Sequence, residues 1–139
     1  MEEPEIGILF VLHSYLRWII LLIALIAAVK FASGWLQKQK PAATDRGLMS
    51  GFSGLMDLQA LLGIVFLTVS NDFSMPRLEH AGTMIVAAVV AHLPMRWRNA
   101  DSTLVLRNNL FVILAVLALV ILGITSLGGG TANWQLRVP

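Results

Sequence analysis

His13, His80 and His92 are the three histidines of a 139-residue chain, and each lies inside or at the rim of an apolar run long enough to cross a bilayer. An ionisable side chain at membrane depth is costly, so such residues are read first as functional groups. The first apolar run starts near Ile6, which puts His13 about 10 Å below that end of the helix at 1.5 Å per residue. The third run starts near Arg77 on the same side, which puts His80 about 5 Å in by the same measure. Helix tilt absorbs the difference. Two imidazoles at matched depth on separate helices suit the two axial positions of one haem iron. Bare copper or zinc suits them less, because two imidazoles alone underfill either ion.

The neighbouring residues agree with a planar, anionic cofactor. Arg17 lies one turn from His13 on the same helix face, where its guanidinium suits a propionate carboxylate. Arg77, at the rim of the third helix, is the second propionate candidate. Ala81, Gly82, Ala87, Ala88 and Ala91 follow His80 and leave space for a ring or for close helix approach. The plainer reading is that both histidines bridge helices by hydrogen bonds, which average ~0.6 kcal/mol in one membrane protein.

His92 follows His80 by about 18 Å along the helix, near the opposite face. No second histidine stands at its level. Met49 is at roughly the right depth for an iron ligand, but one haem is expected, not two. His92 is expected to pack near Arg96 or to serve proton transfer at a quinone site. Asp57 and Gln59 lie mid-way along the second apolar run, where a carboxylate must be paired or protonated. An Arg17–Asp57 bridge is the expected pairing, either as a pin between helices or with a protonation role for Asp57.

Positioning these residues requires four helices. The apolar segments run over about 6–36, 46–69, 77–97 and 103–127, each near the ~20 residues that span a hydrocarbon core. Backbone groups in lipid must be satisfied internally, which makes the segments helical. The connections are short, so an all-α, integral-membrane, up-down-up-down four-helix bundle in one domain is expected. Asp45 is a candidate cap for the second helix, and Pro76 suits the opening of the third. Gly128-Gly129-Gly130 ends the fourth; the tail beyond reads as irregular, with Trp134 an interfacial anchor. The composition agrees: 57% hydrophobic and 13% charged, mean hydropathy +0.76, where soluble domains carry about 25% charged residues.

Lys30, Lys38, Lys40, Arg46, Arg96, Arg98 and Arg107 cluster at one end of the bundle, against Arg17, Arg77 and Arg137 at the other. The positive-inside rule then puts the first and third loops in the cytoplasm and both termini outside. Glu2, Glu3 and Glu5 replace the basic start of a signal peptide, so the first run is expected to stay as a transmembrane helix. The net charge of +2 does not argue for a nucleic-acid partner. The chain has no cysteine, which excludes disulfides, thiolate nucleophiles, iron–sulfur clusters and covalent c-type haem. No catalytic nucleophile or phosphate-binding loop is visible, so no enzymatic activity is assigned.

Three short segments carry a family resemblance: Leu12-His13-Ser14-Tyr15-Leu16-Arg17-Trp18, Gly54-Leu55-Met56-Asp57-Leu58-Gln59, and Glu79-His80 with Met84 after it. With them the chain resembles the small four-helix bacterial membrane b-type cytochromes. The resemblance implies one haem b on His13 and His80, a place in the bacterial inner membrane, and electron exchange with a quinol or a periplasmic redox protein. Larger cytochromes of this type carry more histidines and two haems. A homodimer is also compatible with the alanine-rich faces of helices three and four. The alternatives are a haem-free scaffold subunit of a larger complex, and a haem or metal transport component.

Overall fold

The computed structural model describes residues 3–135, all of whose regular structure is helical. Glu2 and Arg137, used above for topology, lie outside the described residues. The helices are α1 (Glu3–Leu36), α2 (Ala43–Ser70), α3 (Met75–Ala91) and α4 (Ser102–Thr125), with 3-10 turns at Leu93–Arg96 and Gly130–Trp134. Four segments are long and apolar enough to cross a membrane: Pro4–Leu36, Ala43–Ser70, Met75–Arg96 and Ser102–Thr125. Each helix packs against its neighbours in sequence, and α4 closes the ring against α1.

The ends of the helices differ from expectation in instructive ways. α2 starts three residues earlier than expected, at Ala43, so Asp45 is not its cap but sits inside the first turn. There its carboxylate accepts a hydrogen bond from the Ala42 main-chain N–H at 2.7 Å and pairs with Lys30 of α1. An acidic group in the first turn also complements the helix dipole. Pro76 does open α3 as expected. α3 then stops at Ala91, six residues short of the expected end, and a 3-10 turn continues it. Pro94 explains the break, because it supplies no N–H and its ring crowds the carbonyl four residues back. The tail is not irregular throughout, since Gly130–Trp134 forms a turn that folds back onto the bundle.

Phe31, Phe52, Ile113 and Val116 are fully buried, among Ala24, Ala27 and Ala87, in the half of the bundle away from His13, and the core runs on through Ile20, Met56, Val120 and Ile124 toward the other half. Small residues let the backbones approach, and the large ones fill the space this leaves. Trp97 closes the end away from His13 by donating its indole N–H to the side-chain oxygen of buried Asn109 at 2.9 Å. Leu22, Leu25, Val29 and Leu122 on the outer faces are apolar and exposed, the pattern that apolar surroundings would call for.

Truncating Phe52 to Ala opens a cavity in this core. We expect a loss of about 3–5 kcal/mol, read by reversible denaturant unfolding of the purified protein in detergent.

Candidate haem or ligand site in the histidine half of the bundle

Four helices contribute one face each to a cavity of about 460 Å³. α1 supplies His13, Ser14 and Arg17; α2 supplies Gln59 and Gly63; α3 supplies Arg77, His80 and Met84; Val120 and Ile124 of α4 complete the wall. Arg17 shares a face with the other two because it stands four residues from His13 and three from Ser14.

The His13 and His80 rings meet in this cavity, with centroids 6.4 Å apart and planes at 75°. Each ring is held by a different helix. Nδ1 of His80 donates to the main-chain carbonyl of Gly123 at 2.6 Å, which leaves its Nε2 lone pair free. Gln59 Nε2 donates to the His13 carbonyl at 3.0 Å and stands 3.2 Å from His13 Nε2. In that arrangement Nε2 accepts and Nδ1 carries the ring proton. His13 Nδ1 is buried without a hydrogen-bond partner, as are Gln59 Oε1 and the Nε and Nη2 atoms of Arg17. Buried polar groups normally find partners. Four orphans around one cavity mark the place where a polar ligand would complete the network.

Glycines make the space for both imidazoles. A Cβ on Gly63 would stand 3.2 Å from His13 Cε1, and one on Gly123 would stand 2.5 Å from the Met84 methyl and 3.4 Å from His80 Nδ1. No protein-family model, curated protein or solved structure matches this chain. Function therefore rests on the chemistry of the cavity itself.

Arg17 does not pair with Asp57 as expected. Its Nη1 donates to the Asn133 carbonyl at 2.7 Å, and its guanidinium lies 5.6 Å from the Trp18 ring centre and 5.9 Å from that of Trp134. Asp57 instead faces His92, whose Nε2 is 3.0 Å from both carboxylate oxygens. Asp57 points outward from α2, away from the face that carries Gln59, so the two residues never share a partner. His92 therefore packs on Asp57, and neither residue lines the cavity. Arg77 lines it at the rim, stacks over Phe66 and pairs with Asp72 at 3.1 Å. Hydrogen bonds from Ser74, with the Arg77 charge adding to them, hold the Asp72 carboxyl below the usual carboxylate range.

Sequence reasoning singles out His13, His80, Arg17 and Arg77, and all four line this cavity. It missed the partners. Gln59 was noticed as a buried polar residue but not as the group on His13. Gly63 and Gly123 were available as glycines inside apolar helices. Asn133 carried no signal, because its main chain is what binds Arg17.

Gly63→Ala is expected to cost about 1–3 kcal/mol by crowding a ring that Gln59 holds in place, and to shift the His13 imidazole resonances in NMR spectra. Gly123→Ala should cost less, because the atom in its way is the mobile end of Met84.

Proposed function

We propose that the chain is a multi-pass membrane protein that binds one haem b between His13 and His80 and passes single electrons. The observation that carries this is the imidazole pair. Two imidazoles on opposite sides of one metal stand with ring centres roughly 6 Å apart, given metal–nitrogen bonds of about 2 Å, and the rings here are 6.4 Å apart. Among the described residues no group of three or more His, Asp or Glu could hold a bare metal ion. A metal at this pair must bring its other donors, as a porphyrin does. The cavity volume lies within the range of about 300–1,000 Å³ typical of cofactor sites.

The residues fit that group chemically. His80 is oriented through Nδ1 by the Gly123 carbonyl, which is how ligating histidines are fixed for use through the other nitrogen. His13 Nε2 is contested by Gln59, but that amide has a second acceptor in the His13 carbonyl. The free Nε and Nη2 of Arg17 suit one carboxylate side-on, and Arg77 at the rim suits a second. Bound haem would supply one-electron redox chemistry. His13 and His80 would hold it, Arg17 and Arg77 would balance its carboxylate charge, and Ile20, Met56 and Ile124 would exclude water.

An antiparallel bundle supports this reading. Lys30 near the end of α1 pairs with Asp45 at the start of α2, while His13 near the start of α1 meets Gln59 in the later half of α2. By the positive-inside rule the basic clusters favour an orientation with both termini and the haem toward the outer side of a bacterial inner membrane. A quinol or a periplasmic redox protein is the natural electron partner there. The competing reading, a haem-free scaffold subunit, is favoured by one observation: both imidazoles already have bonds to neighbouring helices.

A visible spectrum separates the two. Protein purified from haem-replete cells should show a Soret band and a reduced α-band of b type. His13→Ala and His80→Ala should each abolish them, while His92→Ala and Gln59→Leu leave them in place. A folded wild-type protein without the bands selects the scaffold.

A further inference from the structure

Arg17 divides its guanidinium between two tasks. Nη1 holds the main-chain carbonyl of Asn133, while Nε and Nη2 are buried among the cavity residues without partners. The segment that carries Asn133 is the 3-10 turn Gly130–Trp134, reached from α4 through Gly128-Gly129-Gly130. Gly128 and Gly130 have φ of +73° and +54°, a region that glycine enters readily and most residues do not. The glycines turn the chain back over the end of the bundle. There Ala132 and Asn133 line the cavity, the Asn133 amide donates to the Ile124 carbonyl at 3.3 Å, and Trp134 packs edge-on against Trp18 at 6.5 Å. The Arg17 guanidinium lies close to both indole rings, within the reach of a cation–π contact.

We infer that Asn133 is part of the ligand site, and that this C-terminal strap, with Trp134 stacked beside Arg17, closes over an anionic ligand through Arg17. The inference rests on the ligand reading above and adds a wall and a coupling to it. A carboxylate on the Nε–Nη2 edge fixes the guanidinium plane. That plane also sets where Nη1 meets the Asn133 carbonyl and where Trp134 stacks. Ligand and strap therefore stabilise each other, and the coupling is reciprocal. The strap's side chains reach the bundle at Arg17, Trp18 and Ile124, two of them beside the cavity, so its closure is the part of the site that occupancy can shift.

The test is hydrogen exchange of the full chain in detergent micelles, with and without hemin. Amides over 127–135 are expected to exchange roughly tenfold slower with hemin, within the range of couplings between linked sites, and Arg17→Gln should remove that protection. In a second measurement on haem-loaded protein, Trp134→Ala should release haem to apomyoglobin roughly tenfold faster with the Soret position unchanged. Unchanged exchange together with unchanged haem loss overturns the strap. If wild type gives no Soret band, the imidazole-pair reading fails instead, and metal-free protoporphyrin IX becomes the probe. Protection by that dicarboxylate but not by its dimethyl ester keeps the strap assignment; protection by neither overturns it.

Discussion

A neutral imidazole has one ring N–H to give and one ring nitrogen to receive, and the histidine half of this bundle meets one of those demands on each ring. His80 gives its N–H to a main-chain carbonyl, within reach because Gly123 lets α3 come close to α4. His13 receives at Nε2 from Gln59, reached because Gly63 lets its ring lie against α2, and its Nδ1–H is left without a partner. The separation of the two rings is fixed by all four helices, α1 with α2 for His13 and α3 with α4 for His80. That is the kind of rigid support that keeps a pair of ligands at one distance whether or not a cofactor is present.

The two halves of the molecule divide the work. One is packed with Phe31, Phe52 and Ile113 and carries a closed polar network at its end, where Lys30 meets Asp45 and Trp97 meets Asn109. The other gives up dense packing for a cavity and leaves polar atoms unsatisfied around it. Incomplete satisfaction in an otherwise well-bonded protein is where function is expected. His92 and Asp57 stand apart from both, as a pair on the outer surface between α2 and α3.

Much of this was legible from the residues. Runs of about 20 apolar residues required helices, and short connections required neighbours in sequence to be neighbours in space. Depth counting brought His13 and His80 together, because a helix converts residue number into distance with little error. Rotation about the helix axis was the weaker inference. Asp57 and Gln59 are two residues apart and so face nearly opposite ways, which sends one to His92 and the other to His13. The Arg17–Asp57 bridge failed on that point. The Asn133 contact was invisible for a different reason: a backbone carbonyl has no sequence signature. The early end of α3 was readable in Pro94, but a long apolar run hid it.

That early end has a consequence for whatever surrounds the protein. The regular part of α3 has 17 residues, or about 26 Å, while α1 has 34, or about 51 Å. A hydrocarbon layer is about 30 Å thick. The 3-10 turn carries the third span on to Arg96, so α3 with its turn just matches such a layer while α1 overshoots it by far. In a bilayer α1 would lean or project beyond the acyl chains, and α3 would not. The overhang would fall on one flank only, and a lopsided overhang gives a small protein a preferred side from which to meet its neighbours.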